Sequence, residues 1–332
     1  KETVMAKLEQ GYKKLFKNGK IIGIVLMVIS LGFIVREITK IDFRSIELKD
    51  PWTALLLILL FSCVQISSVF FSGWGFKLIL EFLHGSKLRT QQVFKVYAKA
   101  NVGKYLPGNV MHYAGRNLLG SQLGWKHSDI IISSFLEIML VFISACIISV
   151  VFSYSRFIEI MQSAWEQIRG SGLIIPALAL LAVLAGAAVW LLIKNDALRK
   201  KLEFIRRPGF WLLFAKTFLI YSLSFLIPGI ILVLIYQTVL GVKVTLSSII
   251  TIISASVLSW LAGFITPGAP GGLGVKESIL LLMLGSIYGR GNTLLAALIH
   301  RLISILGDVG AFLIVTFGMK GQSDARLKEE EA

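Results

Sequence analysis

Apolar runs of about 20 residues recur along the whole 332-residue sequence. As a helix, a run of this length spans roughly 30 Å, which is the thickness of the hydrocarbon core of a bilayer. Runs that qualify as full spans lie at residues 21–35, 52–71, 130–152, 173–193, 210–240 and 293–317. We therefore expect an all-α polytopic membrane protein with about six full spans, in which residues 1–332 form a single membrane domain.

The charge composition also favours a membrane protein over a soluble enzyme. Charged residues make up only 16% of the chain, against about 25% in an average soluble domain. Lys and Arg exceed Asp and Glu by 34 to 19. In a polar chain this excess would favour nucleic acid, whereas here it favours the anionic headgroups of the inner leaflet. We expect membrane lipids as partners, no nucleic acid and no cofactor, and homo-oligomerisation stays open.

The basic residues of the loops predict an orientation. They number two in 155–171 but three in 73–90, six in 194–208 and six in 1–20. The positive-inside rule then places the N-terminus 1–20, the two basic loops and the tail 318–332 in the cytoplasm of a cell whose plasma or inner membrane holds the protein. The loop 36–51 fits least well, because it carries four basic residues beside four acidic ones.

Two further regions, 91–119 and 247–287, are interrupted by Pro-Gly pairs, Pro107-Gly108 and Pro267-Gly268. Proline removes a backbone donor and clashes with the preceding turn, and glycine adds backbone freedom. We expect each region to form a re-entrant hairpin of two half-helices around unwound backbone. Such breaks are tolerated at membrane depth where they are packed in protein or line a wet cavity.

The two halves of the chain repeat the same order of elements. Each of 21–152 and 173–317 reads as span, span, broken hairpin, span, and three crossings per half make the halves point in opposite directions. Arg116 and Lys276 each lie nine residues past the proline of their break. These features predict an inverted repeat, which is typical of transport proteins. The alternative is that Pro and Gly merely kink the helices for packing, as we expect at Pro228.

The first broken region carries candidates for binding an anionic lipid headgroup. Its returning half-helix begins near Asn109, where unpaired backbone amides and the positive end of the helix dipole face the break. His112 and Arg116 can donate hydrogen bonds to a phosphate, and Lys104 adds a positive charge. The alternative is that lysines in this region only reach the cytoplasmic headgroups.

The second broken region adds a glycine-rich candidate. Four glycines lie between residues 268 and 274, among them Gly271 and Gly272, and glycines let backbone amides approach a ligand closely. The spacing of a nucleotide-binding loop is absent. Lys276 and Glu277 follow, and ionisable residues within a membrane favour a functional role. The alternative is that both charges are paired with nearby side chains.

Three more charges lie inside predicted spans, at Glu137, Arg301 and Asp308. Arg301 and Asp308 are seven residues apart, roughly 10 Å along a helix, so each needs a partner elsewhere. Glu137 is a candidate partner for Arg301, and a structural ion pair between helices is as well supported as contact with a substrate. His300 lacks a second ligand nearby, and we expect no metal site.

Motifs of known enzymes are absent from the sequence, including H-E-x-x-H, G-x-S-x-G and D-x-D. We therefore expect no enzymatic activity and no catalytic residues. Two alternatives remain: a membrane-embedded enzyme that acts on a lipid phosphate with His112 or His300 as base, and a scaffold for a complex that builds the cell envelope.

The sequences GKYLPGNVMHYAGR at 103–116 and PGAPGGLGVKE at 267–277 resemble the lysylphosphatidylglycerol synthase transmembrane family. That family includes the flippase half of the bacterial multiple peptide resistance factor. The resemblance implies a lipid translocase fold with two re-entrant hairpins, and it extends to Arg116, Lys276 and Glu277. An aminoacyl-transferase domain is missing, so we expect this chain not to make the aminoacyl lipid.

Together these features predict a lipid translocase, or flippase. We expect it to move a phosphate-containing lipid, such as a phospholipid or aminoacyl-phospholipid, between leaflets. A translocase for polyprenyl-phosphate-linked glycolipids is the alternative within the same class.

Overall fold

The computed structural model describes residues 50–105, 110–152, 203–266 and 270–318. Within these ranges the regular elements are helices and no β-strand occurs. Five helices are long and apolar enough to cross a bilayer: Pro51–His84, His127–Ser149, Phe210–Val239, Leu246–Ile265 and Arg290–Gly318. The chain is therefore an all-α membrane protein. The predicted spans 21–35 and 173–193, the N-terminus 1–20 and the tail 319–332 lie outside the described residues.

The first long helix, α1 (Pro51–His84), begins with a well-formed cap. The Asp50 carboxylate accepts hydrogen bonds from the backbone N–H groups of Trp52 and Thr53 at 3.3 and 3.1 Å. The hydrogen bond from the Thr53 hydroxyl lowers the pKa of Asp50. At its other end α1 continues past the predicted span 52–71 to His84, and Lys77 and Glu81 form an ion pair of 2.9 Å on neighbouring turns of this extension.

The first broken region consists of two short antiparallel helices. Helix α2 (Thr90–Asn101) runs into a 3₁₀ turn (Val102–Tyr105), and α3 (Met111–Ser121) follows. A Cβ on Gly103 would lie 3.0 Å from the backbone nitrogen of His112, and one on Gly115 would lie 3.3 Å from the Cβ of Ala100. Since residue 103 meets 112 and residue 100 meets 115, the helices run in opposite directions. With 12 residues α2 is about 18 Å long, too short to cross the membrane.

Helices α4 (His127–Phe152) and α5 (Phe210–Leu234) follow the predicted spans 130–152 and 210–240 closely. Helix α5 runs through Pro228 and ends in a π-helical turn (Ile235–Val239). The ring of His300 donates a hydrogen bond of 3.0 Å to the carbonyl of Pro228. The helix is therefore continuous through this proline.

The second broken region differs from its prediction. It consists of α6 (Leu246–Ile265), a 3₁₀ turn (Pro270–Gly272) and α7 (Val275–Tyr288). Helix α6 has 20 residues with no charge and no proline, so it is a full-length helix instead of the expected half-helix. With 14 residues, α7 is about 21 Å long and remains short of the bilayer thickness.

The last helix, α8 (Arg290–Leu313), ends in a π-helical turn (Ile314–Gly318) and packs against α1 and α7. Contact with α1 is close, since a Cβ on Gly307 would lie 2.6 Å from the Cγ of Gln65. The largest apolar core joins α5, α6, α7 and α8 with the start of α1. A second core joins the later part of α1 with α2 and the end of α8. The second broken region therefore packs against the earlier part of α8 and the first against its end.

Candidate functional site

The two broken regions meet around a cavity of about 230 Å³. The ring of Tyr105, in the first 3₁₀ turn, lies against Gly271 in the second, where a Cβ would be 3.2 Å from Cδ1 of the ring. Ten of the predicted site residues line this cavity: Lys104, His112, Arg116, Glu137, Gly271, Gly272, Lys276, Glu277, Arg301 and Asp308. Asn109 and both Pro-Gly pairs lie outside the described residues.

Arg116 and Glu137 form a buried ion pair between α3 and α4. Nη1 of Arg116 donates to Oε2 of Glu137, and the hydroxyl of Tyr97 donates to Oε1 at 2.7 Å. Only 2% of Arg116 and 5% of Glu137 is exposed. The suggestion that Glu137 pairs with Arg301 is therefore wrong: α3 folds back against α4 and brings Arg116 to this carboxylate first.

Aromatic rings surround the guanidinium of Arg116. Its Cζ lies 4.0 Å from the ring centroid of Tyr97, 5.0 Å from that of Phe76 and 5.2 Å from that of Tyr113. Guanidinium groups are stabilised by ring faces at these distances. The ion pair and the rings fix α3 against α1, α2 and α4.

Glu277 has two structural partners. Its Oε2 accepts a hydrogen bond of 2.7 Å from the backbone N–H of Gly274, which caps the start of α7. Its Oε1 accepts from Nη1 of Arg301 on α8. Glu277 is 2% exposed. The carboxylate therefore joins the second break to α8 and does not pair with its neighbour Lys276.

Asp308 joins the first break to the same helix α8. Its carboxylate accepts hydrogen bonds from Asn101 at 2.8 Å and from the hydroxyl of Tyr105, and Nζ of Lys104 lies 2.7 Å away. Asp308 is 2% exposed. Asn101 and Tyr105 were not among the predicted site residues, although they lie beside Lys104 in the same polar segment.

Lys276 has a different environment from the other cations of the cavity. Among the described residues, no carboxylate lies within ion-pair distance of its ammonium group. Its side chain runs over two glycines: a Cβ on Gly272 would lie 2.9 Å from Cε, and one on Gly263 would lie 3.0 Å from Cγ. Glycine at both positions thus makes room for the lysine side chain at the cavity wall.

The cavity has a net positive charge. Its described lining contains four cations, Lys104, Arg116, Lys276 and Arg301, and three carboxylates, Glu137, Glu277 and Asp308. With the histidines neutral, one positive charge remains, and it is located on Lys276. A cavity with this charge can bind an anionic group.

Uncharged polar side chains line much of the remaining wall, and the sequence reading missed them. They are Gln65, Ser68, Ser72, Ser224, Ser256, Ser259 and Ser304. Three of the serine hydroxyls donate to carbonyls of their own helix: Ser224 to Tyr221 at 2.7 Å, Ser259 to Ser256 at 2.8 Å and Ser304 to His300 at 2.9 Å. Residues 65, 68 and 72 are polar, lie within an apolar run and are spaced so that they share one face of a helix. This pattern in the sequence indicates a polar wall.

The two histidines of the cavity are not arranged as a metal site. His300 bonds to the carbonyl of Pro228, and the ring of His112 lies against that of Tyr113, with the centroids 3.8 Å apart and the planes tilted by 42°. The described part of the chain contains no group of three His, Cys, Asp or Glu side chains placed to hold a metal ion.

Fold and site together define the class: an all-α membrane protein with a positively charged cavity between two interrupted helical regions. No protein-family model and no curated protein sequence matches the chain. The functional argument therefore rests on the residues of the cavity and their geometry.

Proposed function

We propose that this protein is a lipid translocase that moves a phosphate-containing lipid, such as a phospholipid or aminoacyl-phospholipid, from one leaflet to the other. The observation that carries the proposal is Lys276, an ammonium group without a carboxylate partner among the described residues, in a cavity between helices long enough to cross a bilayer. A phosphate supplies the missing negative charge, and the lipid tails remain in the bilayer.

Several further features belong to this proposal. They are membership of the lysylphosphatidylglycerol synthase transmembrane family, about six spans with two broken helical regions in an inverted repeat, cytoplasmic termini and a location in the inner or plasma membrane. The short antiparallel helices α2 and α3 support re-entry of the first region. Discontinuous helices that meet at one cavity are typical of transporters with inverted repeats.

The contacts between the breaks and α8 supply the parts that alternating access requires. Lys104 and Tyr105 bond to Asp308, and Glu277 bonds to Arg301, so each broken region is attached to α8 by its own polar contacts. We propose that breaking one set of contacts opens the cavity to one leaflet while the other set keeps it closed to the opposite leaflet. No bond of the lipid is made or broken in this cycle.

Reconstituted vesicles test the proposal directly. Purified protein is inserted into vesicles that contain a trace of acyl-chain-labelled fluorescent phosphatidylglycerol, and an impermeant quencher reports the label that reaches the outer leaflet. We expect transfer faster than in protein-free vesicles. We expect Lys276→Met to slow this transfer about tenfold or more, the loss of one charge-assisted hydrogen bond.

Lys243→Met is the matched control, because Lys243 is exposed and does not line the cavity. Its transfer rate should equal that of the unchanged protein. Transfer no faster than in protein-free vesicles, for every anionic and zwitterionic lipid tried, would contradict the proposal. Mass spectrometry of the recovered lipids should find their masses unchanged, and a new lipid mass would favour an enzyme instead.

A further inference from the structure

We infer that the cargo is a lipid phosphodiester whose headgroup beyond the phosphate is neutral and bears hydroxyl groups, and that lipids with ammonium headgroups are excluded. This inference rests on the proposed function and narrows its substrate: of the two lipids named there it keeps the phospholipid and excludes the aminoacyl-phospholipid, whose headgroup carries an ammonium group. It is carried by the three carboxylates of the cavity, by its net charge and by the acceptor groups along its wall.

Each carboxylate of the cavity is already paired with a protein cation. Oxygens of Glu137 accept from Tyr97 and Arg116. Oxygens of Glu277 accept from Gly274 and Arg301, and those of Asp308 accept from Asn101, Tyr105 and Lys104. The three residues are between 2% and 5% exposed. A headgroup ammonium entering this cavity would therefore have to share a carboxylate with the protein cation that already neutralises it.

The net charge selects among phosphate lipids. The described lining carries four cations and three carboxylates, which leaves one positive charge. A phosphodiester with a neutral headgroup carries one negative charge and neutralises it. A zwitterionic lipid would leave the positive charge uncompensated, and a doubly ionised phosphomonoester would leave a negative one. Uncompensated charge is costly where water is scarce, so the singly charged lipid is favoured.

The uncharged wall of the cavity suits hydroxyl groups. Ser224, Ser259 and Ser304 use their hydrogens on helix carbonyls, so each presents oxygen lone pairs as acceptors. Oε1 of Gln65 is buried without a hydrogen-bond partner in the structure. Hydroxyl hydrogens of a ligand can satisfy these acceptors without adding charge.

Helix α6 places one of these acceptors, Ser259, near the phosphate position. Ser259 and Gly263 lie one turn apart on the same face of this helix, and Gly263 packs against Lys276. From Gly263 back to Ser259 the distance along the helix is about 6 Å. A glycerol headgroup on a phosphate at Lys276 is of comparable length.

Competing lipids in the vesicle assay test the inference. The probes share one labelled acyl chain and differ in headgroup: phosphatidylglycerol, phosphatidylethanolamine and phosphatidic acid. We expect phosphatidylglycerol to be transferred about tenfold faster than either of the others, the effect of one uncompensated charge contact. Transfer of phosphatidylethanolamine at an equal or greater rate would overturn the inference and leave the proposed function intact. Transfer of none of them would instead count against the proposed function.

A variant that releases one carboxylate sharpens the test. Lys104→Met removes the cation beside Asp308, and Asn101 and Tyr105 still hold that side chain in place. We expect the rate for phosphatidylethanolamine relative to phosphatidylglycerol to rise about tenfold, because Asp308 can then accept an ammonium group. The exposed Lys126→Met is the control and should leave the ratio unchanged. An unchanged ratio in Lys104→Met would contradict the inference.

Free inorganic phosphate could bind in the cavity through the same contacts as a lipid phosphate. An uptake assay distinguishes the free ion from the lipid. Vesicles that contain the protein are given radiolabelled inorganic phosphate outside. We expect no uptake above that of protein-free vesicles. Uptake of phosphate without transfer of phosphatidylglycerol would assign the cavity to the free ion and overturn the lipid inference.

Discussion

The two broken regions lie against the same cavity but are held in different ways. The first region, 90–121, is polar and short, and its cations Lys104 and Arg116 pair with carboxylates on other helices. The second region, 246–288, contains the uncharged helix α6 and packs mainly through apolar side chains. Its lysine, Lys276, has no carboxylate partner among the described residues.

Residues at equivalent positions in the two broken regions therefore have different environments. Arg116 and Lys276 each lie nine residues past the proline of a break, which predicts the same role for both. Arg116 is enclosed by aromatic rings and neutralised by Glu137. Lys276 lies over two glycines with its charge uncompensated. One cation therefore holds a helix in place, and the other is available to a ligand.

The largest expected effect follows from removal of Arg116. Arg116→Ala leaves the Glu137 charge buried without its cation, and we expect the free energy of unfolding to fall by about 3–5 kcal/mol. Chemical unfolding in detergent micelles measures this loss. Lys276→Ala, which removes an unpaired charge, should cost far less stability. Equal losses in the two variants would remove the contrast between the two regions.

A smaller effect is expected from Gly272→Ala. Gly272 has a φ of 71°, and a Cβ there would lie 2.9 Å from the Cα of Gly263, so the side chain is opposed by both strain and a backbone contact. We expect a loss of roughly 2–3 kcal/mol in the free energy of unfolding. Gly124→Ala is the matched control, because Gly124 has a φ of 80° with nothing within 4 Å. Similar losses in both would mean that close packing of the second break does not matter.

The smallest effect is expected from Tyr105→Phe. This change removes one hydrogen bond to Asp308 and keeps the ring that packs against Gly271, and we expect a loss of about 1 kcal/mol in the free energy of unfolding. Tyr288→Phe is the control, since the hydroxyl of Tyr288 is buried without a hydrogen-bond partner. If Tyr288→Phe cost as much as Tyr105→Phe, the contact of the first break with Asp308 would not contribute to stability.

Much of the fold could be predicted because hydropathy and helix breaking are local properties. The starts of α4 and α5 lie within three residues of the predicted spans, which begin at 130 and 210. Helix α6 is the exception: a break at the centre of 247–287 predicts two half-helices, whereas 20 uninterrupted residues precede the break and form a full-length helix. The length of the run before a proline therefore indicates the helix better than the position of the proline alone.

The partners of the buried charges could not be predicted in the same way. Lys104 and Asp308 are separated by 204 positions in sequence, and Arg301 and Glu277 lie on different helices. Nothing in the local pattern states which acidic side chain a cation meets. The sequence pattern makes Glu137 a candidate partner for Arg301, whereas the fold brings Arg116 to Glu137 instead.

The sequence alone determined that this is an all-α membrane protein, where its helices are interrupted and which ionisable residues lie among apolar ones. Those properties follow from the free energy needed to expose charge or unpaired backbone groups to lipid. This free energy depends on each residue by itself, so it can be inferred from the local sequence. Only the tertiary structure decided which charges neutralise each other. Electrostatic pairing depends on distances of a few ångströms between helices, so the packing of α1 to α8 left Lys276 as the unmatched cation of the described cavity.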